Sequence, residues 1–158
     1  MSKVEDRLAE LGLTVPEVVP PVAAYTPAVR DGDLVWTSGQ LPMRDGAMAY
    51  TGKVGDGGAA GLVTPEQAKE LAAQCALNAL AAVKSVVGDL DAVQRVVKVV
   101  GFVASDPSFT GQPGVVNGAS ELLGKVFGDA GVHARSAVGV ATLPLDSAVE
   151  VEIVVRVG

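Results

Sequence analysis

"HARSAVGVATLPLDSAVEVEIVVRV", residues 133–157, decides the fold. Two runs of small and β-branched residues flank a Leu-Pro-Leu-Asp turn, and each reads as a strand with period-two alternation. In the first, Arg135 shares a face with Ala137, Gly139 and Ala141, while Ser136, Val138 and Val140 point the other way. In the second, Glu150, Glu152, Val154 and Arg156 oppose Val149, Val151 and Ile153.

Working back toward the N-terminus, "RVVKVVGFVAS" (95–105) has almost no alternation and is expected to be a strand buried on both faces. Between it and the tail, a helix is expected from Pro113 to Phe127, ended by Gly128 or Gly131. Before it, "TPEQAKELAAQCALNALAAVKSVV" (64–87) carries a full start signal. Thr64 caps, Pro65 suits the first helical position, and Gln67 completes a capping box. "DLVWTSGQLPM" (33–43) gives a strand from Leu34 to Ser38 that ends at Gly39, and "RDGAM" (44–48) a hairpin turn after it. The order is a strand pair, a long helix, a strand, a helix and two strands, which is an α+β domain with helices over one face of a sheet. Residues 1–20, a short amphipathic helix around "VEDRLAEL" and a proline-rich arm, precede a single domain spanning 21–158.

Composition limits the function. The 158 residues are 49% hydrophobic and only 19% charged, as one globular domain requires. A net charge of −6 and six aromatic residues argue against a nucleic-acid surface, which needs clustered cations and stacking platforms. With Cys75 alone, no intramolecular disulfide forms, and a reducing cytoplasm is expected. The start has no apolar signal-peptide core, and no run reads as a membrane span.

Most catalytic devices are missing from the chain. There is no GxSxG, HExxH or GxxxxGK[ST], and one His with one Cys supplies no zinc set. "GDGGAAG" (55–61) lacks the Lys and Ser/Thr of a phosphate loop and reads as a flexible surface segment. His133 is either an acid–base group or a plain turn position, and Cys75, among helical alanines, reads as a small hydrophobe. Arg135 stands out, because a guanidinium among Ala and Gly has room to grip a carboxylate through two parallel hydrogen bonds. The alternative is a surface arginine or a subunit ion pair, Glu150 being a candidate partner. The valine-rich second face of the sheet needs cover, which other copies of the chain would supply. Subunit boundaries then become the natural place for a pocket.

"AAYTPAVRDGDLVWTSGQLP" (23–42), the Asn117 helix and the tail "HARSAVGVATLPLDSAVEVEIVVRV" together resemble the RidA/YjgF/YER057c/UK114 family, long labelled endoribonuclease L-PSP. The likeness runs from about Tyr25 to the C-terminus. It implies a chorismate mutase-like fold, with a mixed, mainly antiparallel sheet and two helices on one face. It also implies a homotrimer with clefts between subunits. The activity implied is hydrolysis of reactive 2-imino acids of the 2-aminoacrylate/2-iminopropanoate type to 2-oxo acids and ammonia, without metal or cofactor. By motif, Arg135 matches the carboxylate-holding arginine and Glu150 a water-orienting residue. Tyr25, Ser38, Gly39 and Asn117 fall on the remaining substrate-binding positions. Two departures stand in the tail: the family's common cysteine is Ala137 and its frequent glutamate is Gly139. They favour, as an alternative, a non-catalytic trimer binding small carboxylates; the old label suggests, far behind, a ribonuclease.

Overall fold

Local signals account for the helices in the computed structural model, which describes residues 2–158. Helix α1 covers Lys3–Glu10, with the Ser2 hydroxyl accepting from the Glu5 N–H. Strands β1 (Ala28–Asp31) and β2 (Leu34–Thr37) precede helix α2 (Pro65–Val87). Both halves of the α2 capping box form: Thr64 Oγ1 accepts from Gln67 N at 3.1 Å, and Gln67 Oε1 accepts from Thr64 N at 3.0 Å. Strand β3 (Val93–Ala104), helix α3 (Gln112–Phe127, stopped at Gly128), strand β4 (Ala134–Val140) and strand β5 (Val149–Val157) follow.

The strand pair differs from the sequence reading. Its first member is β1, which lies before β2 and closes on it through Gly32 at φ 63°. The later Asp45-Gly46 turn does form, both residues at positive φ, but it closes only an isolated Arg44–Ala47 bridge. Both Asp-Gly dipeptides suit a tight turn equally well. What separates them is the partner on the far side, since β2 needs β1 along one edge and β5 along the other.

The sheet runs β1-β2-β5-β3-β4, antiparallel throughout except β3 with β4. The parallel pair requires a crossover, and α3 provides it. Helices α2 and α3 cover one face. Val99, Val103, Val151, Ile153 and Val155 are buried beneath them with Leu71, Cys75, Leu80, Val116 and Leu123 from the helices. Strand β3 is therefore buried on one face only within the single chain, not on both: Val99 and Val103 are sealed, whereas Val100 and Phe102 on the opposite face are half-open. Strand β5 shows the same asymmetry, with Val149 to Val157 buried at odd positions and Glu150, Glu152 and Val154 half-buried at even ones.

Helix α2 has the length and composition to cross a membrane, so the sequence reading that no run reaches this length is corrected. Its hydropathy is explained by the fold, for most of its residues from Ala68 to Val83 are buried between sheet and α3.

Helix α1 inserts Val4 and Leu8 into the same core. Its N-terminus is held from outside the helix by Asp91, whose two carboxylate oxygens accept from the Lys3 and Val4 N–H groups, each at 2.9 Å. Lys84 on α2 also pairs with Glu5. The backbone N–H groups of Lys3 and Val4 hold the Asp91 carboxyl below its ordinary value. This contribution to stability is therefore present above the unfolded value of 3.8 and disappears as pH falls through the lowered native value. Asp91→Ala should release α1 selectively. Hydrogen exchange will speed up in residues 3–10 at neutral pH while the sheet amides keep their protection; equal protection of α1 in the variant would contradict this.

Candidate functional site

The six residues singled out from the sequence fall into two groups on opposite faces of the sheet. Val99 pairs with both Arg135 and Ile153, whereas Phe102 pairs with both Glu150 and Val138. Positions three apart on a regular strand point to opposite sides. Arg135 therefore lies on the helix side and Glu150 on the open side, and their strands are separated by β3, roughly 10 Å across two strand spacings. This parity keeps the two apart within one chain, so the ion pair raised by the sequence is open only between subunits.

On the helix side, α3 presents three acceptors along one stripe to Arg135. Nη1 donates to Asn117 Oδ1 at 2.7 Å and to Ser120 Oγ at 3.2 Å, and Nη2 donates to the Pro113 carbonyl at 3.2 Å. Residues 113, 117 and 120 stand one and two helical turns apart, so a single helix face holds the whole guanidinium. Five N–H groups belong to an arginine head. Of these, Nε–H and one N–H of Nη2 find no acceptor among the described residues. No carboxylate lies within ion-pair distance of the group either, among those residues. The Asn117 amide nitrogen likewise makes no hydrogen bond there. The result is a half-buried cation fixed in place, with donors left over.

Two residues of this half were not picked out as a pair from the sequence. His133 sits just before β4, with Nδ1 2.6 Å from the Gly131 carbonyl and Nε2 2.9 Å from Ser120 Oγ. Both ring nitrogens are occupied, which removes the free acid–base group that the sequence left open. The signal that would have found Ser120 was its spacing: it lies three residues after Asn117 and so shares its helix face.

Ala137 and Gly139, the two departures in the tail, follow Arg135 on the same face. Ala137 packs against the core, and a β-carbon on Gly139 would stand 2.7 Å from Gln112 Nε2 and 3.2 Å from Ser105 Oγ. The space a larger residue would fill is occupied by the Gln112 amide, which donates to Ser105 Oγ and to the Phe109 carbonyl.

The second group collects around the end of β2 and the start of β5. Beyond Thr37 the chain continues beside β5, with Gln40 and Val151 exchanging both backbone hydrogen bonds. This brings Gly39 against Glu150 so closely that a β-carbon at 39 would collide with the carboxylate. Ser38 N donates to the Pro27 carbonyl and its hydroxyl to the Thr26 carbonyl at 2.6 Å, tying the segment to Tyr25, which is half-exposed one residue earlier. No described residue donates to the Glu150 carboxylate. Burial, and then repulsion from Glu152 two residues along on the same face, push its carboxyl above the ordinary value of 4.5. A carboxylate held this way is a stronger base than one in water. Cys75 is the opposite case. Buried in α2, with its thiol raised by desolvation and then by the nearby Glu150 charge, it packs as an inert apolar group.

A family described as "YjgF/chorismate mutase-like, putative endoribonuclease" matches residues 5–157. Protein TCP17 of Trypanosoma cruzi is 44% identical over 155 residues, covering 98% of this chain and 94% of that protein. The crystal structure of Atu1372 from Agrobacterium tumefaciens, a protein of unknown function, is 44% identical with a TM-score of 0.89 over 99% of this chain and 93% of that one. A structure from Shewanella oneidensis MR-1 described as a "putative endoribonuclease" is 30% identical, with a TM-score of 0.91 over 98% of this chain and 99% of the other.

Proposed function

We propose that this chain, which belongs to the YjgF/chorismate mutase-like family, hydrolyses small 2-imino acids to 2-oxo acids and ammonia in a cleft completed by a second copy of itself. The observation that carries the reading is Arg135: a cation held by three acceptors of α3 that, among the described residues, lacks a carboxylate partner and keeps Nε–H and one Nη2–H unspent. Two adjacent donors on a fixed guanidinium match the two oxygens of a carboxylate. The Asn117 amide N–H groups, without an acceptor among the described residues, lie next to the same guanidinium.

The reaction asks little more of the protein. In a protonated 2-imino acid the C2 carbon is already electrophilic. Water adds to it, a proton moves to nitrogen, and the C–N bond breaks as the carbonyl forms; no electrons are exchanged with a cofactor. Holding the acid and orienting the water supply the rate enhancement. Glu150, whose carboxylate is basic and uncommitted, takes the water proton and delivers it to the departing amine. Ser38 and Gly39 line its side, and Tyr25 forms an amphipathic wall.

The two halves lie on opposite faces of one sheet, so the proposal needs assembly, with Arg135 and Asn117 from one copy facing Tyr25, Ser38, Gly39 and Glu150 of another. The open face supports this. Val29, Trp36 and Val138 are 52%, 51% and 44% exposed there, beside the half-buried Val100, Phe102 and Val154, an apolar surface that a monomer would not leave bare. The proposed assembly is a homotrimer, and light scattering should return three times the 15.9 kDa chain mass.

To test the activity, 2-iminopropanoate is generated in situ by an amino acid oxidase and pyruvate release is followed with and without the protein. Acceleration is expected; identical rates would end the proposal. Gly39→Ala gives a second check. The colliding atoms belong to the flexible end of Glu150, so the variant folds while its carboxylate is displaced. Turnover should drop roughly tenfold or more, as loss of general base geometry implies, at an unchanged melting temperature. The ribonuclease reading has little to stand on, since the chain's single histidine has both nitrogens engaged.

A further inference from the structure

We propose that His133, acting through Ser120, is a positioning residue that sets the orientation of the Arg135 guanidinium and hence its grip on a carboxylate. The inference rests on Arg135 being the carboxylate anchor.

Its basis is the direction of one chain of hydrogen bonds. The Gly131 carbonyl can only accept, so the proton of the neutral imidazole sits on Nδ1 and Nε2 is left with a lone pair. Nε2 in turn accepts the Ser120 hydroxyl hydrogen across 2.9 Å. With that hydrogen committed, the Ser120 oxygen turns its lone pairs outward, and one of them receives Arg135 Nη1–H at 3.2 Å. A helical serine left alone would instead turn its hydroxyl back to the carbonyl of the preceding turn, swinging the lone pair away. His133 supplies the acceptor that prevents this, and the buried Gly131, at the end of the turn after α3, fixes the ring.

The consequence reaches the substrate. Nη1 has two hydrogens; Asn117 Oδ1 takes one and Ser120 the other. With both fixed, the plane of the guanidinium is set, and with it the directions of the unspent Nε–H and Nη2–H. Without Ser120 one Nη1–H loses its acceptor, the head is held only by Asn117 and the Pro113 carbonyl, and the two-point match to a carboxylate loosens. His133 never touches the substrate here; it acts two bonds removed.

The test uses the full-length protein and pyruvate as the carboxylate probe. Affinity is measured by calorimetry, and the Arg135 Nε–H resonance is followed by NMR. Ser120→Ala and His133→Leu should each weaken pyruvate binding roughly three- to tenfold, the worth of one ordering hydrogen bond. They should also broaden or shift the Arg135 Nε–H signal without lowering the melting temperature. The double variant should be no worse than either single one, because both cut the same chain. His133→Gln, whose amide oxygen can accept from Ser120, should recover much of what His133→Leu loses. Native-like binding in both single variants, or losses that multiply in the double, would overturn the proposal. Arg135→Ala separates the layers. If it binds pyruvate like the native chain, the anchor itself is wrong and the positioning role falls with it. If it loses pyruvate while the native protein turns over no imine, only the hydrolytic reading fails and the positioning role stands.

Discussion

Arg135→Ala should lower kcat/KM for 2-iminopropanoate by on the order of 10²- to 10⁴-fold, the expected loss of two charge-assisted hydrogen bonds to one carboxylate. The fold should survive the change. Arg135 takes part in no ion pair among the described residues, and the acceptors it leaves behind, Asn117 Oδ1, Ser120 Oγ and the Pro113 carbonyl, lie where water can reach them. Arg135→Lys is the sharper variant, because it keeps the charge. An ammonium is a point donor on a flexible stem and cannot satisfy Asn117 and Ser120 while presenting two parallel N–H groups outward. If charge alone draws the substrate, Lys preserves most of the activity; if the fixed fork matters, it recovers little of what Ala loses. The second result is expected, with the loss appearing largely in KM. An Arg135→Ala protein as active as the native one would remove the basis for the reading.

That prediction depends on a placement only partly legible in the sequence. The helices were plain, because their signals are local: Thr64, Pro65 and Gln67 specify the start of α2, and Gly128 the end of α3. Strand β1 was not legible. Three of its four residues, Val29, Arg30 and Asp31, are exposed, so it has no alternating apolar pattern and is held by pairing with β2 and by the buried Ala28 alone. Within each strand the side-chain parity was readable, and Arg135 does share its face with Ala137 and Gly139. The relation between strands was not. Whether Arg135 and Glu150 face the same way depends on the register each makes with β3, a long-range property that no local window contains. The apparent freedom of β3 from alternation had a similar origin. Val100 and Phe102 are apolar without being buried in the single chain, a surplus that fits the proposed assembly.

Glu150→Gln should be the most informative change on the other half of the site. Gln keeps the shape but cannot accept a proton, so kcat falls by roughly 10²- to 10⁴-fold while pyruvate affinity stays close to native, the acid being held by Arg135. The pH dependence follows from the same group. Burial first, and Glu152 second, raise the Glu150 carboxyl above 4.5, and the ionised form is the proposed base. The acid limb of kcat/KM should therefore lie above the usual carboxylate range, and Glu152→Gln should move it down without abolishing turnover. Stability runs the other way. A carboxyl raised in the folded state binds its proton more tightly there than in the unfolded chain, so its stabilising contribution is complete below 4.5 and is lost as pH rises through the native value. At neutral pH the ionised Glu150 is a mild burden on the fold, softened by its partial exposure to water. Glu150→Gln should then melt no lower than the native protein at pH 7, or slightly higher, while being the less active of the two. A variant that is less stable at pH 7 yet fully active would assign Glu150 to the architecture of the sheet instead.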